Sequence, residues 1–436
     1  MKKIFRYPMA ILFSVFVMSV FLIDVCNKDK ERSEFENTSL AQKPSFSWTA
    51  FSDGTFGNNY VKYINEQFLG RDQWITLKAT ADMALGRTEG HGVVYGKDHQ
   101  LLEKLQVVES KPSNSGTNVV EERNLKRSVD IMKSFLQMYD QEITFSLVPN
   151  AYAVLEDKVP YAFPGINQEE ETQRIYQELS QTDEQLTTID FTEVLKEHQD
   201  EYIYYRTDHH WTTLGAYYAY TEYCREKGLT PVELSELEKH EVSDFYGTFY
   251  SKAKRPGQPS DTITWYDVPI DNFSFTANLL QDKELSQLGE VVEQDGEELL
   301  SVDTLMDERK FQTRDKYAAF TWGNPGYAKI TSSHNLNHTE GKTSRLLIIK
   351  DSYANSMIPY LTYNYDEIVV VDLRYLSKSV KDLMQQDFDD IFVMYNFSTF
   401  LTENSSLARL KLRRELHCWY SWCVWFGTTR CLNRRC

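Results

Sequence analysis

The sequence predicts an α/β protein built on a doubly wound parallel sheet, and two observations favour this class. Between about residues 120 and 400, short apolar runs alternate with segments of helical periodicity, which is typical of strands joined by crossover helices. The run at residues 346–349 is uninterrupted, as expected of a strand covered on both faces. Polar residues follow several runs, at the strand ends where such sheets bind ligands.

The predicted elements follow one another in a regular order. A polar linker is expected at residues 27–47, a helix at 60–85 and short strands within 86–103. The main body then has helices at 120–140, 167–181 and 214–227, and strands at 143–148, 187–190, 346–349, 367–371 and 390–395. The segment at about 241–342 interrupts the alternation, and we interpret it as an insertion that walls one side of the ligand site.

The charge of the chain is unevenly distributed. The net charge is −17, and residues 405–436 hold seven Lys and Arg against one Glu, so they carry +6 and the rest of the chain carries −23. So acidic a body should repel nucleic acid and should not lie flat on an anionic membrane. Cys224 is the single cysteine between residues 27 and 404, so no disulfide is expected inside the body.

The last segment, residues 405–436, differs in composition from everything before it. It holds four of the six cysteines and three of the eight tryptophans. The cysteines lack zinc-finger spacing. We interpret this tail as foreign to the domain and expect it to be poorly ordered, with a membrane-interface segment as the alternative.

The N-terminus is typical of an export signal. An apolar run at residues 9–23 follows three basic residues, Lys2, Lys3 and Arg6, and ends at Asp24. The run is short for a membrane span and no small-x-small cleavage site follows it, so residues 1–26 are either a signal peptide or a retained anchor. Cys26 also allows a lipoprotein, although Asp24-Val25 lacks the small residues that such processing requires. The protein is therefore expected in the cell envelope or outside the cell.

The most informative stretch is Tyr-Tyr-Arg-Thr-Asp-His-His-Trp at residues 204–211. If it is extended, residues two apart point the same way, so Asp208 can orient His210 while His209 faces elsewhere. A His oriented by a carboxylate is two thirds of a nucleophile-activating triad. The alternative is structural: such polar residues often only cap the following helix.

Ser352 is the candidate for the third member. It follows the apolar run at 346–349 and precedes a helix predicted to reach about residue 363. Backbone N–H groups and the positive end of a helix favour a developing oxyanion at such a place. A Ser or Asp here is also a common helix cap, and that explanation stays open.

A metal site is the main rival for the same residues. Asp208, His209 and His210 could ligate a divalent ion, but comparable Asp or His ligands do not stand out at other strand ends. We therefore expect neither a metal nor another cofactor.

These motifs resemble those of a known family. Asp208-His209-His210-Trp211, with Thr207 before it and Leu214-Gly215-Ala216 after it, resembles the signature of the DHHW family of exported bacterial proteins. That family is similar to the acyl-transferring proteins of alginate O-acetylation in the SGNH/GDSL hydrolase superfamily, which carry an Asp-x-His-Trp motif upstream of a Ser at a strand end. Lys350-Asp351-Ser352-Tyr353 resembles the Asp-Ser centre of a GDSL block, with Lys350 and Tyr353 in place of Gly and Leu. Residues 65–72, 92–98 and 245–251 extend the resemblance over roughly residues 35–402.

The resemblance implies a three-layer SGNH-hydrolase-like fold over residues 48–404 and a catalytic triad of Ser352, His210 and Asp208. Further candidates for oxyanion stabilisation or substrate binding are three residues at strand ends, one in the insertion and two beside His210: Asn150, Arg374, Asn396, Gly247, Trp211 and His209.

The implied activity is acyl transfer to a polysaccharide of the envelope, with O-acetylation favoured and a membrane-bound acyl donor protein as partner. An O-acetyl esterase is the alternative within this class, because the exclusion of water depends on the shape of the cleft. A non-catalytic carbohydrate-binding protein is the alternative of another class.

Overall fold

The computed structural model describes residues 8–33, 38–110, 119–268, 273–280, 285–294 and 297–411. Its longer helices are α1 (Pro8–Cys26), α2 (Thr55–Gln67), α3 (Arg71–Ala84), α4 (Glu122–Leu136), α5 (Gln168–Ser180) and α6 (Thr213–Lys227). Shorter helices lie at Trp48–Ser52, Ala151–Val154, Thr192–Glu197, Thr248–Ala253, Ile358–Leu361, Val380–Leu383, Phe397–Thr402 and Asn404–Leu407.

A nine-stranded mixed sheet forms the centre of the molecule. Its strands are β1 (Ile143–Val148), β2 (Leu186–Thr188), β3 (Ser274–Ala277), β4 (Glu290–Gln294), β5 (Glu297–Val302), β6 (Tyr327–Thr331), β7 (Arg345–Lys350), β8 (Glu367–Val371) and β9 (Asp390–Asn396). The spatial order is β4-β5-β3-β6-β8-β7-β9-β1-β2. The five strands from β8 to β2 are parallel to one another, so their carboxyl ends share one edge.

The five parallel strands match the predicted parallel sheet, but the sheet as a whole is mixed. The insertion does more than form a wall: it supplies β3, β4, β5 and β6, which pair antiparallel and extend the sheet beyond β8. Short connections such as that between β4 and β5 permit antiparallel pairing, whereas parallel neighbours require a long crossover.

Helices cover both faces of the parallel half. Phe145 of β1 packs against Tyr176 of α5, with ring centroids 5.9 Å apart. Phe392 of β9 stacks on Tyr223 of α6 at 4.8 Å. Phe145 lies opposite Val393 in the register, and neighbouring residues of a strand face opposite sides, so these two helices lie on different faces. The fold class is therefore mixed α/β.

Smaller strands surround this core. The described residues form a three-stranded sheet at Glu89–Gly90, Val93–Tyr95 and Leu101–Glu103, and a parallel pair at Gln106–Val108 and Val119–Glu121. They also form a hairpin of Lys239–Phe245 with Asp261–Tyr266, and a short pair at Arg32–Ser33 and Thr38–Ser39.

Two predicted helices are shorter than expected. The helix predicted at 60–85 is broken between α2 and α3, where Gly70 has a φ of 66°, a left-handed conformation that interrupts a helix. After Ser352 the chain forms a 3₁₀ turn, Ser352–Ser356, and then Ile358–Leu361. Pro359 lacks the N–H that a continuous α-helix would use there.

The described chain continues into the predicted tail. Leu407 and Leu410 are both buried in the main hydrophobic cluster. The packed domain therefore extends past residue 405, and the remaining tail, residues 412–436, lies outside the described residues.

Helix α6 approaches the loop before it so closely that Gly215 has no room for a side chain. A Cβ at this position would lie 2.4 Å from the carbonyl oxygen of Ile203. We expect Gly215→Ala to lower the free energy of unfolding by roughly 1–3 kcal/mol, because buried backbone must shift. Urea denaturation measures the change. Gly57→Ala is the control, since its Cβ would meet open space; equal stability of the two variants would contradict the prediction.

Candidate active site

The loop that carries Asp208 and His210 is closed on itself. Tyr204 and Trp211 form an isolated antiparallel bridge. The hydroxyl of Tyr204 donates to the carbonyl of Pro149 at 2.8 Å, just beyond β1. The buried carboxylate of Asp261 accepts from the backbone N–H of Thr207 at 2.7 Å. The loop is therefore fixed to the sheet on one side and to the insertion on the other.

Asp208 and His210 form a buried pair inside this loop. The Nδ1 atom of His210 lies 2.6 Å from Oδ1 of Asp208, and the backbone N–H of His210 donates to the same oxygen at 3.1 Å. The other oxygen accepts from the backbone N–H of Thr248 at 2.7 Å. Burial raises the pKa of Asp208, but His209, His210 and these hydrogen bonds outweigh it and hold the pKa well below the usual range. Asp208 is therefore ionised and keeps the hydrogen of His210 on Nδ1.

Ser352 lies at the other ring nitrogen. Its Oγ is 2.8 Å from Nε2 of His210, although the two residues are 142 positions apart in the chain. Since Nδ1 of His210 holds the ring hydrogen, Nε2 accepts from the serine hydroxyl. The structure thus brings Ser352, His210 and Asp208 into one hydrogen-bonded chain.

The turn that presents Ser352 depends on a second buried carboxylate. Asp351 accepts from the backbone N–H of Tyr353 at 2.9 Å and from that of Asn396 at 2.8 Å. Burial raises the pKa of Asp351, while Arg374 and these hydrogen bonds act against the rise. Asp351 therefore joins the carboxyl ends of β7 and β9 directly behind Ser352.

Trp211 links the two halves of the site. Its indole N–H lies 2.9 Å from the carbonyl oxygen of Tyr353 and 3.0 Å from Oγ of Ser356. The side chain is wholly buried. Trp211 therefore joins the His210 loop to the Ser352 turn by hydrogen bonds.

His209 faces Thr248. Its Nδ1 lies 2.7 Å from Oγ1 of Thr248 and 3.3 Å from Oδ1 of Asp208. Burial, followed by the neighbouring His210, lowers the pKa of His209 to about 4, although Asp208 acts in the opposite direction. His209 is thus neutral near pH 7, and about a third of its side chain is exposed.

Tyr317, which the sequence did not point to, covers the ring of His210. The two rings are stacked 3.9 Å apart, only 13° from parallel. The hydroxyl of Tyr317 donates to the carbonyl of Ser352 at 3.0 Å. Burial raises the pKa of Tyr317, so it remains a neutral donor. One side chain of the insertion therefore holds both His210 and Ser352.

Gly247 and Thr248, also from the insertion, pack against Asp208. A Cβ at Gly247 would lie 2.2 Å from Oδ2 of Asp208. The backbone N–H of Gly247 donates to Oγ1 of Thr207 at 2.9 Å, so this hydrogen bond holds the loop and is not directed at Ser352. The glycine permits the close approach by which Thr248 reaches Asp208.

Asn150 and Asn396 lie at strand ends as predicted, inside a buried network. The amide nitrogen of Asn150 lies 3.1 Å from Glu103 and 3.4 Å from Oδ1 of Asn396, and its oxygen accepts from Gln168 at 2.7 Å. Asn396 caps the next helix by accepting from the N–H of Ser398 at 3.0 Å. Both asparagines are thus engaged with protein groups.

Arg374 is held by its own ion pair. Its guanidinium donates to both oxygens of Asp372, at 2.9 and 2.7 Å. The fully buried Lys350 lies 3.5 Å from the same carboxylate and donates to the side chain of Asn355 at 2.7 Å. Burial lowers the pKa of Lys350, and Asp372 opposes that shift. Because Asn355 belongs to the turn of Ser352, this cluster supports the turn from the β8 side.

Two further features lie beside Asp208. A cleft of about 1230 Å³ is lined by Asp208, Thr248, Tyr95 and Arg314, among others.

Asp208, His209 and His210 also present ligand atoms within 4.8 Å of one another. The donor set is therefore compatible with a divalent ion, although the nearest ring nitrogens already bond Asp208, Thr248 and Ser352.

Solved structures resemble this chain at low sequence identity. A DHHW family protein from Eubacterium siraeum DSM 15702 is 22% identical, with a TM-score of 0.53 over 74% of this chain and 96% of that one. Bacillus cereus PatB1 with a sulfonyl adduct is 18% identical, with a TM-score of 0.51 over 71% and 95%. The O-acetyltransferase domain of Pseudomonas putida AlgJ is 11% identical, with a TM-score of 0.41 over 73% and 99%.

The likenesses to the first two proteins show a shared fold. No curated protein sequence matches the chain. The family model described as DHHW protein matches residues 127–371, which is more than half of the chain and includes Asp208, His210 and Ser352. The chain therefore belongs to the DHHW family.

Proposed function

We propose that this protein is an exported serine-dependent acyltransferase that O-acetylates a polysaccharide of the cell envelope. The hydrogen-bonded chain of Ser352, His210 and Asp208 is the observation that carries the proposal. A serine needs a base to become a nucleophile, and a histidine needs a carboxylate to keep the right tautomer. The resemblance of these residues to the motifs of alginate O-acetylation supports the acyl group and the substrate class.

The proposed reaction has two steps. Nε2 of His210 takes the proton of Ser352 while Oγ attacks the carbonyl carbon of an acetyl ester. The tetrahedral intermediate collapses to an acetyl-serine, and His210 returns the proton to the departing alcohol. A sugar hydroxyl then attacks the acetyl-serine, with His210 again taking and returning a proton, so that Ser352 is regenerated. We assign the oxyanion to the backbone N–H of Ser352, because the side chain of Asn150 is engaged elsewhere.

The fold supports this assignment. Five parallel strands with helices on both faces agree with a three-layer, doubly wound SGNH-hydrolase-like domain. In that arrangement ligands bind at the carboxyl ends of the strands, where β1, β7, β8 and β9 lead to Asn150, Ser352, Asp372 and Asn396.

The proposed location and partner follow from the N-terminus. The apolar helix α1 is compatible with a signal or an anchor, and either one delivers the acidic body across the membrane. An exported transferase has no cytosolic acyl-coenzyme A within reach. We therefore propose a membrane-bound protein as its acyl donor.

The triad predicts a covalent intermediate. Incubation of the protein with an activated acetyl ester should add one acetyl group to Ser352, which mass spectrometry of the peptides detects. Ser352→Ala and His210→Ala should each reduce ester hydrolysis by on the order of a thousandfold, because triad members act as a unit. His209→Ala should cost far less, since Nδ1 of His209 contacts Thr248 and does not bond Ser352.

Each alternative to the proposed function predicts a different result in these experiments. If Ser352→Ala leaves hydrolysis unchanged while His209→Ala abolishes it, the triad assignment fails. If the adduct forms but the polysaccharide stays fully acetylated in a Ser352→Ala strain, the protein is an esterase. If no adduct forms and sugars still bind, it is a carbohydrate-binding protein.

Tyr317 is predicted to position the reacting groups without touching the substrate. Tyr317→Phe keeps the stack on His210 and loses the hydrogen bond to Ser352, whereas Tyr317→Leu loses both. We expect kcat to fall about tenfold and about a hundredfold respectively, with KM unchanged, because small misplacements are costly in catalysis. Steady-state kinetics on a small acetyl ester measures both constants.

Tyr205→Phe is the matched control for Tyr317→Phe. Tyr205 is also buried, its ring centroid lies 6.3 Å from that of Tyr317, and its hydroxyl has no partner among the described residues. A loss of kcat in Tyr205→Phe equal to that in Tyr317→Phe would show a general packing effect instead.

Removal of metal ions distinguishes a Ser-His-Asp triad from a catalytic metal site at Asp208, His209 and His210. Activity should survive prolonged dialysis against strong chelators, because the proposed base is His210 and the proposed nucleophile is Ser352. Loss of activity on chelation, with recovery on addition of manganese or zinc, would instead assign Asp208, His209 and His210 to a metal centre.

A further inference from the structure

The arm between the N-terminal helix and the body, residues 46–85, presents an unusual amount of apolar side chain to its surroundings. Helix α2 exposes Tyr60, Val61, Ile64 and the following Phe68, and α3 exposes Trp74, Leu77 and the following Leu85. Within the helices, Ile64 follows Tyr60 and Val61 by four and three residues, and Leu77 follows Trp74 by three, so each set shares one side of its helix. Only Ala79 of the two helices is buried. So many exposed apolar side chains in one segment indicate a contact with another apolar phase.

An aromatic cluster continues this surface toward the N-terminus. Phe46 contacts Trp48 and Phe56, with ring centroids 5.3 Å apart in each case. Trp48 is nevertheless 77% exposed. Tryptophan and tyrosine are the residues that favour the boundary between lipid and water, where an apolar ring and a polar N–H or O–H are both accommodated.

The arm is held beside the end of the apolar helix α1. The backbone N–H of Leu69, at the turn between α2 and α3, donates to Asp24 of α1 at 2.7 Å. Tyr63 donates to Asp29 at 3.0 Å, and Gln67 exchanges hydrogen bonds with the backbone of Lys30 at 2.8 and 2.9 Å. The turn of the arm therefore lies at the level where α1 ends.

The length of α1 sets that level relative to a membrane. The apolar run at residues 9–23 is short for a span, but the helix extends to Cys26, and its 19 residues span about 28 Å at 1.5 Å per residue, close to the roughly 30 Å of a hydrocarbon core. None of its side chains is buried against the protein. With α1 across the bilayer, Asp24 and Leu69 come to the lipid surface, and the apolar sides of α2 and α3 come with them.

The charge of the arm agrees with this location. Residues 46–85 contain three Lys and Arg and four Asp and Glu, whereas the chain outside the tail carries −23. The arm is thus nearly neutral and suffers little repulsion from a lipid surface, while the acidic body stays in water.

We propose that α1 is retained as a membrane span and that the apolar sides of α2 and α3 lie in the lipid headgroup region, with the bilayer itself as the occupant of this surface. The arm then acts as an interfacial platform that holds the body at a set distance from the membrane. The proposal does not depend on the activity of Ser352.

The test uses the full chain reconstituted in phosphatidylcholine nanodiscs. Lipids brominated near the headgroup end of their acyl chains quench tryptophans that lie at that depth. We expect the quenched part of the tryptophan emission to decrease in Trp48→Phe and in Trp74→Phe. Trp265→Phe is the matched control, since Trp265 lies on the Lys239–Phe245 and Asp261–Tyr266 hairpin of the body and stacks on Phe311 at 4.2 Å.

Three results would overturn the proposal. In the first, Trp48→Phe and Trp74→Phe retain all of the lipid quenching. In the second, both tryptophans are shielded from acrylamide yet are not quenched by the lipid, which would mean that a protein or a second copy covers them. In the third, the mature chain isolated from cells begins after Cys26, so that no span holds the arm at the membrane.

Discussion

The ionised carboxylate of Asp208 is the constraint on which the rest of the site depends. A charge that is 3% exposed must receive hydrogen bonds from the protein, because burial without them is prohibitively costly. It receives them from His210 in the loop and from Thr248 in the insertion. The same interactions that make the buried charge tolerable therefore orient the imidazole and attach the insertion to the site. Gly247 contributes to this arrangement, because only a residue without a Cβ lets the backbone N–H of Thr248 come so close to Asp208.

A second buried carboxylate, Asp351, fixes the position of Ser352, as Asp208 fixes the orientation of His210. Asp351 accepts from the N–H groups of Tyr353 and Asn396, and so fixes the turn between β7 and β9. Trp211 and Tyr317 then join the two halves, one through its indole N–H and the other through a ring stack and a hydroxyl. Small displacements of either half would lengthen the 2.8 Å contact between Ser352 and His210. The site is held together mainly by buried polar groups, whose satisfaction demands one geometry.

The sequence was informative where a signal is local. The strands of the parallel half were predictable because an uninterrupted apolar run records burial on both faces. The contact among Asp208, His210 and Ser352 was predictable because their chemistry is unusual in such positions. The pairing of Asp208 with His210 arises from a closed loop, however, and not from the alternation of an extended strand. Tyr317 carries no local signal, since a tyrosine in an insertion becomes meaningful only when the fold places it on His210. The break at Gly70 was missed because apolar periodicity continues on both sides of it.

The two halves of the central sheet have different physical roles. The parallel half collects strand ends along one edge, so the residues that follow β1, β7, β8 and β9 meet without any long excursion of the chain. The antiparallel half comes wholly from the insertion, and its pairing with β8 through β6 anchors the segment that precedes it. Tyr317 lies ten residues before β6, and this short connection to the central sheet restricts where its ring can lie. Thr248 is fixed in turn by its contacts with Asp208 and His209. A segment that looks like an interruption of the alternating pattern thus becomes the part of the protein that holds His210 in place.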